Sequence, residues 1–258
     1  MHHMPIFGNT LPSSDFLKLL GHDLRWQILG ALAHSDRRVH ELVELVGRPM
    51  NLVSYHLRLL REAHLVCERR SSADGRDVYY RADLDTLVAQ YRLAGTRLHP
   101  ALDPQPVSVP AAAATPARVL FLCTYNSARS QMAEGLLRHL ARAWVEVVSA
   151  GSEPSTVHPL ALRTMDELGI DIHGQRSKHL DEYRGQQFDY VITVCDQVRE
   201  ICPAFPHQPE QVHWSIADPS DVPGNDQVRL RAFQEAAREL STRIRFLSLL
   251  NRWGTPSA

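Results

Sequence analysis

A segment rich in proline and alanine divides this chain of 258 residues into two parts. Residues 99–117 contain five prolines and six alanines, show no apolar periodicity and carry one charge, at Asp103. Prolines at this density prevent a continuous helix and favour an extended, semi-rigid chain. We therefore predict a linker over 99–117 that separates one domain at 1–98 from a second domain at 118–258.

The composition is that of a globular protein. Hydrophobic residues make up 44% and charged residues 22%, which excludes wholesale disorder and fibrous repeats. No apolar run approaches the ~18–20 residues that span a bilayer, and the N-terminus lacks the blocks of a secretory signal. We expect a cytoplasmic protein with no membrane contact. Its four cysteines are then catalytic, redox-active or metal-binding rather than a disulfide scaffold.

Charge is distributed unevenly along the chain. Residues 1–98 carry 13 Lys and Arg against 11 Asp and Glu, whereas residues 99–258 carry 15 against 18. Between Arg48 and Arg81 the balance is seven against four. A basic patch of this kind hints at nucleic-acid binding, and a solvated surface is the alternative interpretation.

The first domain is predicted to be mainly helical. A helix over 39–46 stops at Gly47, and Pro49 suits the first turn of a second helix that runs to about Ala63. The second helix has an apolar stripe at i, i+4 and i+7, formed by Val53, Leu57 and Leu60. Segments 65–70 and 76–82 flank a turn-rich stretch and predict a hairpin, before a last helix over 84–98.

Two helices around a tight turn, followed by a basic hairpin, describe a winged helix-turn-helix. In that fold the second helix enters the major groove of DNA and the hairpin lies along the backbone. The residues that we expect near the bases are Asn51, Ser54, Tyr55 and His56. The residues that we expect at phosphates are Arg69, Arg70 and Arg76. A small helical module with one solvated face is the alternative.

Residues 53–66, Val-Ser-Tyr-His-Leu-Arg-Leu-Leu-Arg-Glu-Ala-His-Leu-Val, followed by Val78-Tyr-Tyr, resemble the ArsR family of metalloid- and metal-responsive repressors. The resemblance covers about residues 13–98 and implies a homodimer on double-stranded operator DNA. Arsenic-sensing members often carry a Cys-x-Cys pair before the recognition helix, where this chain has Arg38-Val-His-Glu-Leu. The first domain thus has no recognisable inducer site, and we interpret Cys67 as a small buried hydrophobe.

The second domain opens with an apolar strand over 118–123, a loop, and a helix over 131–140. The loop contains Cys123 and Arg129 in a Cys-x5-Arg spacing. Backbone N–H groups of such a loop, together with a helix N-terminus, form an anion-binding concavity whose field should depress the pKa of the cysteine. We therefore expect a thiolate nucleophile at Cys123 and a planar fork of donors for an oxyanion at Arg129.

The other loop residues have supporting roles in this interpretation. Ser130 can donate a hydrogen bond to the thiolate, and Asn126 suits a left-handed backbone position that holds the loop. The predicted oxyanion-binding residues are Thr124, Tyr125, Asn126, Ser127, Ala128 and Ser130.

The remaining pattern predicts an open α/β domain. Strands over 145–150, 190–194 and 212–214 alternate with helices over 160–168 and about 228–252. This alternation predicts a four-stranded parallel sheet with its ligand at the carboxyl ends of the strands. Cys195 and Cys202 follow the third strand on the face expected to hold the Cys123 loop. A nucleophile with two further thiols allows a disulfide relay, although free cysteines are often inert core residues.

Several motifs of the second domain resemble the low-molecular-weight tyrosine phosphatase fold, and more narrowly the thioredoxin-coupled arsenate reductases. They are Phe121-Leu-Cys-Thr-Tyr-Asn-Ser-Ala-Arg-Ser-Gln-Met-Ala-Glu-Gly, Ser149-Ala-Gly, Cys195 with Cys202-Pro, and His213-Trp-Ser-Ile-Ala-Asp-Pro. The resemblance implies that Cys123 attacks arsenate and that Asp218 protonates the leaving oxygen. It also implies a Cys123–Cys195 disulfide, resolved by Cys202 to a Cys195–Cys202 disulfide that thioredoxin reduces.

Two departures from this resemblance concern the loop. Some reductases have a cysteine at the position of Ala128, which the proposed chemistry does not require. Some members bind potassium beside the loop; Asn126, Glu134 and Ser149 match that site, but Lys178 stands at its acidic position. An ammonium there can replace the cation, so we predict no metal and no bound cofactor.

Two other functions stay open from the sequence. A tyrosine phosphatase uses the same Cys123, Arg129 and Asp218, but usually has an aromatic residue after the Asp-Pro, where this chain has Ser220. The phosphatase reaction also does not use the thiols of Cys195 and Cys202. The other alternative is a transcription factor whose second domain only senses an oxyanion or a redox state.

Overall fold

The computed structural model describes residues 11–99, 102, 116–141 and 145–250, and side chains as far as 247. Two compact units divide them. The first unit contains 11–33, 37–68, 80–99 and 102, and the second contains 34–36, 69–79, 116–141 and 145–250. Most of the predicted linker over 99–117 lies outside the described residues.

The N-terminal half of the chain forms five helices and three short strands among the described residues. They are α1 (Ser13–Leu20), α2 (Asp23–His34), β1 (Arg37–Arg38), α3 (Val39–Val46), α4 (Met50–Glu62), β2 (Val66–Arg70), β3 (Val78–Ala82) and α5 (Leu84–Leu98). Gly47 adopts the left-handed conformation that ends α3, with a φ of 61°. The strands form one sheet in the order β1-β3-β2. Helix α4 buries the predicted stripe of Val53, Leu57 and Leu60. With α3, the turn and the hairpin in place, the predicted winged helix-turn-helix is confirmed. Helix α1 and strand β1 were not predicted.

The C-terminal half forms four strands and four α-helices among the described residues. They are β4 (Ala117–Cys123), α6 (Arg129–Ala141), β5 (Val145–Gly151), α7 (Pro159–Glu167), β6 (Tyr190–Thr193), α8 (Asp196–Glu200), β7 (Glu210–His213) and α9 (Asp226–Leu250). Two 3-10 helices cover Leu180–Tyr183 and Pro219–Asp221. All strand pairs are parallel, in the order β5-β4-β6-β7. The predicted four-stranded parallel sheet is therefore confirmed.

The central strand β4 is the most apolar part of this sheet. Val119, Leu120, Phe121 and Leu122 are fully buried, as expected for a parallel strand covered on both faces. Cys123 is the last residue of β4, and Cys195 comes two residues after the end of β6. Since neighbouring parallel strands end at the same edge, the sheet brings these two thiols together.

Two details differ from the sequence prediction. The fourth strand covers Glu210–His213 rather than 212–214, because Trp214 follows the strand as a buried residue. The segment between Cys195 and Cys202 contains the helix α8, which is absent from the strand-and-helix pattern given above. No helix in the described parts of the chain combines the length and apolarity needed to cross a membrane.

Candidate active site

The loop over residues 123–130, here called the Cys123 loop, connects β4 to α6. Cys123 is 2% exposed, and its Sγ lies 2.8 Å from the Ser130 Oγ. The backbone N–H of Asn126 also donates to this sulfur over 3.2 Å. The Cys123 sulfur therefore lies within hydrogen-bond distance of a hydroxyl and a backbone N–H, at the N-terminal end of α6, which is the geometry of an anion-binding concavity. The predicted Cys123–Ser130 contact is present.

Asn126 holds the Cys123 loop in shape. Its φ of 44° is left-handed, as predicted, and its side chain is fully buried. The Nδ2 donates to the Ser130 Oγ at 2.9 Å and to the Ser149 Oγ at 2.8 Å, while the Oδ1 accepts from the backbone N–H of Lys178 at 2.8 Å. The asparagine therefore connects the loop to β5 and to the segment before the 3-10 helix at Leu180–Tyr183.

Gly151, at the end of β5, permits the close approach of the Cys123 loop. A Cβ at this position would lie 2.4 Å from the carbonyl oxygen of Thr124 and 2.8 Å from the backbone nitrogen of Asn126. Both atoms belong to backbone, so neither can move aside without distorting the loop. Sequence reasoning gave Gly151 no role in the site, because only the folded chain shows this approach.

The guanidinium of Arg129 is nearly buried and points toward the start of the last 3-10 helix. Its Nη1 donates to the carbonyl oxygen of Ile216 over 2.9 Å, and its Nη2 forms an ion pair with Asp218. Asp218 also accepts from the backbone N–H of Ser220 over 3.0 Å, which fixes the carboxylate. The structure thus places the predicted general acid beside the predicted oxyanion ligand.

The second thiol lies next to this loop. The Sγ of Cys195 is 3.4 Å from the Thr124 Oγ1, and Cys195 is 1% exposed. Burial raises the pKa of Cys195, and a negative charge on Cys123 raises it further, whereas Arg129 lowers it. Burial alone raises the pKa of the partly exposed Cys202 to about 11. All four cysteines lie in described segments, and none of them is in a disulfide there.

The other predicted loop residues differ in exposure. Ala128 is buried, and Ser127 donates to the carbonyl oxygen of Thr156 over 2.7 Å. Tyr125 is a large side chain of this loop and is 47% exposed. Backbone N–H groups of the segment at 153–158 donate to carbonyl oxygens of this loop, which fixes its outer side.

A buried ammonium lies behind the Cys123 loop. The Nζ of Lys178 donates to the Glu134 Oε2 at 3.2 Å and to the carbonyl oxygen of Arg176 at 3.1 Å. Glu134 also accepts from the Ser149 Oγ over 2.6 Å. Lys178 therefore pairs with Glu134, one of the residues that match the potassium site of some members, and its charge contributes to neutralising the buried carboxylate.

The predicted DNA contacts on α4 are only partly on its surface. Asn51, Ser54 and Tyr55 are exposed, as expected. The structure differs from the prediction at His56, which is 4% exposed and packs against His22 with tilted rings whose centroids are 4.4 Å apart. His56 lies three residues after the buried Val53, so helical geometry places it on the core side.

The three hairpin arginines also differ from one another. Arg76 is exposed and pairs with Asp74, and the Arg70 Nη1 donates to the carbonyl oxygen of Gly75 over 3.0 Å. Arg69 forms an ion pair with the buried Asp196 in the second unit and is 26% exposed at its side chain. This pairing was not predicted. It covers part of the Arg69 side chain, which was expected to contact a phosphate.

The sequence profile of the low molecular weight phosphotyrosine protein phosphatases matches residues 118–248. The chain belongs to this family. A second profile, that of bacterial regulatory proteins of the arsR family, matches residues 22–67. The protein therefore joins an ArsR-family helix-turn-helix region to a domain of the low-molecular-weight phosphatase family.

Curated relatives of the phosphatase-family domain are arsenate reductases. The arsenate reductase of Halalkalibacterium halodurans is 41% identical over 128 residues, which are 49% of this chain and 91% of that protein. The arsenate reductase of Bacillus subtilis is 37% identical with the same coverage. The glutaredoxin arsenate reductase of Synechocystis is 35% identical over 127 residues, or 49% of this chain and 92% of that protein. These relatives identify the C-terminal half as an arsenate-reductase-like domain.

Proposed function

We propose that the protein reduces arsenate to arsenite through a relay of Cys123, Cys195 and Cys202, and that it also binds operator DNA. The observation that carries the proposal is the second thiol at the anion loop, with the Cys195 Sγ 3.4 Å from the Thr124 hydroxyl. Hydrolysis of a phosphate ester needs one thiol, whereas reduction of arsenate needs two electrons from a second one.

The first step is nucleophilic attack on arsenate by the Cys123 thiolate. Arsenate replaces Asp218 on Arg129, which then donates to the oxyanion, and Asp218, protonated once it leaves that ion pair, supplies the proton with which one oxygen of arsenic leaves as water. The product is a sulfur–arsenic(V) adduct on Cys123. The Arg129–Asp218 ion pair supports this assignment, because it keeps the two side chains in contact beside the loop.

The second step transfers the electrons. The Cys195 thiolate attacks the Cys123 sulfur, the sulfur–arsenic bond breaks, and its electron pair leaves with arsenic as arsenite. A Cys123–Cys195 disulfide remains. The pKa pattern supports this order: a charge on Cys123 raises the pKa of Cys195, and that contribution disappears once Cys123 is bonded to arsenic.

In the third step Cys202 attacks Cys195, which releases Cys123 as a thiolate and forms a Cys195–Cys202 disulfide. Six residues lie between these cysteines, and Cα atoms seven positions apart are about 10 Å apart along a continuous helix. A disulfide needs Cα atoms about 4.4–6.8 Å apart. Helix α8, which covers Asp196–Glu200 between the two cysteines, is proposed to unwind in this step, and unwinding would also free Cys202 from the burial that raises its pKa to about 11.

The proposed reductant is thioredoxin, whose dithiol returns two electrons to the Cys195–Cys202 disulfide. Three protein thiols make a dithiol donor the simplest partner, because the chain itself carries the disulfide to be reduced. The Synechocystis relative is named for glutaredoxin, so glutaredoxin belongs in the same assay. A cytoplasmic location would keep the three thiols reduced between turnovers.

The ArsR-family half is proposed to bind a two-fold symmetric operator as a homodimer. Helix α4 presents Asn51, Ser54 and Tyr55 on an exposed face, which is the geometry of a recognition helix in the major groove. The exposed Arg70 and Arg76 are placed on the hairpin, where phosphates would be contacted.

The test of the proposed function is arsenate-dependent oxidation of NADPH by the full chain with thioredoxin and thioredoxin reductase. Hydrolysis of an aryl phosphate is measured in parallel, with glutaredoxin and glutathione as a second donor system. We expect sustained turnover of arsenate with thioredoxin. Aryl phosphate hydrolysis without arsenate turnover would favour the phosphatase, and neither activity would favour a sensor domain.

A further inference from the structure

Asp196, directly after the second thiol, is a buried carboxylate that the relay chemistry does not use. It is fully buried in the second unit and accepts hydrogen bonds on both of its oxygens. The Oδ1 accepts from the Ser215 hydroxyl at 2.7 Å and lies 3.2 Å from the His213 Nε2. The Oδ2 accepts from the backbone N–H of Ser72 at 2.7 Å and from the Ser72 hydroxyl at 3.0 Å.

Arg69 supplies the positive charge of this cluster. Its Nη2 pairs with the Asp196 carboxylate, and its Nε donates to the carbonyl oxygen of Ser215 over 2.9 Å. Burial raises the pKa of Asp196, but the hydrogen bonds and the charge of Arg69 outweigh burial and hold that pKa well below its usual range. Burial lowers the pKa of the neighbouring His213, so Arg69 is the cation that balances the carboxylate.

Hydrogen bonds fix the chain both before and after Cys195. Before it, the N–H of Val194 donates to the carbonyl oxygen of Leu122 over 2.8 Å, which ties the chain to β4. After it, the carboxylate of Asp196 is held by Arg69 and Ser72. The carboxylate next to Cys195 is therefore held in part by two hairpin residues that are far away in sequence.

We propose that Arg69 and Ser72 are positioning residues for the relay, which act through Asp196 to hold Cys195 in reach of Cys123. This inference rests on the proposed arsenate reduction and deepens it. Arg69 and Ser72 touch neither the substrate nor the reacting sulfurs; their contribution is to the geometry of the second step. Misplacement of a reacting group by about 1 Å costs a reaction about 100-fold, so a small shift of Asp196 has a measurable effect.

The experiment compares R69A, R69K, S72A and the full-length wild type in a single turnover. Formation of the Cys123–Cys195 disulfide is followed by acid quench and mass spectrometry, and aryl phosphate hydrolysis reports separately on the Cys123 loop. R184A removes an exposed arginine, 69% exposed at its side chain and paired with Asp181, and serves as the matched control. Thermal unfolding midpoints are measured for each variant.

We expect R69A to slow disulfide formation by about 10- to 100-fold while aryl phosphate hydrolysis stays within about twofold. R69K should recover part of the rate because an ammonium keeps the charge beside Asp196, and S72A should have the smaller effect. R184A should leave both rates unchanged. Equal losses of both activities in R69A would overturn the proposal in favour of a general structural role, and unchanged disulfide formation would overturn it as well.

A second readout separates this proposal from the function on which it rests. The rate of alkylation of Cys195 by iodoacetamide is measured against pH, with peptide mapping to resolve the thiols. If the wild type fails to reduce arsenate, the proposed function fails, and the alkylation profile still decides the positioning role. A profile in R69A that is displaced from that of the wild type supports the role; superimposable profiles would contradict it.

Discussion

The Cys123 loop and the exposed face of α4 are the two candidate binding regions of this chain, and their polar side chains are arranged in opposite ways. In the loop, Asn126, Arg129 and Ser130 are buried and hydrogen-bonded within the protein. On α4, Asn51 and Ser54 are exposed. A preassembled site stabilises a transition state without reorganisation, whereas exposed side chains remain accessible to hydrogen-bond with a ligand. Changes in the loop should therefore affect rates, and changes on α4 should affect affinity alone.

The largest expected effect comes from Cys123→Ser. A serine hydroxyl has a much higher pKa than a thiol, so the donors of the loop cannot ionise it. We expect both arsenate reduction and aryl phosphate hydrolysis to fall by about 10³-fold or more. Steady-state kinetics measure both losses, and operator binding by the same variant serves as the control. Activity close to that of the wild type would show that the Cys123 loop is not the active site.

The next effect concerns the preassembly of the loop. Gly151→Ala places a Cβ against the backbone of Thr124 and Asn126. We expect kcat/KM to fall by about 100-fold and the free energy of unfolding by about 1–3 kcal/mol. Gly174→Ala is the matched control, since no heavy atom lies within 4 Å of a Cβ there. If Gly151→Ala and Gly174→Ala had the same kcat/KM and the same free energy of unfolding, the Cys123 loop would tolerate rearrangement.

A smaller effect is expected on α4, where two neighbouring residues can be compared. Ser54→Ala, on the exposed face, should weaken operator binding by about 10- to 100-fold without changing stability. His56→Ala, in the core, should instead lower the free energy of unfolding by about 1–3 kcal/mol. Fluorescence anisotropy with operator DNA and urea unfolding measure the two quantities. If His56→Ala weakened operator binding and Ser54→Ala instead lowered the free energy of unfolding, His56 rather than Ser54 would lie at the DNA.

The smallest effect is expected at the hairpin. Arg76 is exposed, and its hydrogen bond to Asp74 is the main reason that the pKa of Asp74 is lowered to about 2. Arg76→Ala should weaken binding to all DNA sequences alike and reduce the slope of log affinity against log salt by about 1. Titrations at several salt concentrations provide this slope. An unchanged slope would place Arg76 away from the phosphates.

Much of the fold follows from local patterns in the sequence. The apolar run at 118–123 predicted β4 almost to the residue, and Gly47 and Pro49 predicted the turn between α3 and α4. These features depend on backbone conformation and on burial of one stripe or one strand, which neighbouring residues determine. The position of the Cys123 loop followed from the same signals.

Other features depend on contacts between distant parts of the chain and were not predicted. The approach of Gly151 to the Cys123 loop, and the pairing of Arg69 with Asp196 across 127 residues, exist only after folding. His56 is different, because its spacing from Val53 already indicated the core side of α4. The polar side chain of His56 suggested a DNA contact, but its position on the helix places it in the core.

The central claim is the order of the three thiols, and a single turnover of Cys202→Ser tests it most directly. This variant retains the nucleophile and the first attacking thiol but lacks the resolving one. Arsenate is added to the reduced protein, the reaction is quenched with acid, and disulfide-linked peptides are identified by mass spectrometry. The account predicts one arsenite per chain and a stable Cys123–Cys195 disulfide. Repeated turnover with thioredoxin, or arsenite release without that disulfide, would contradict it.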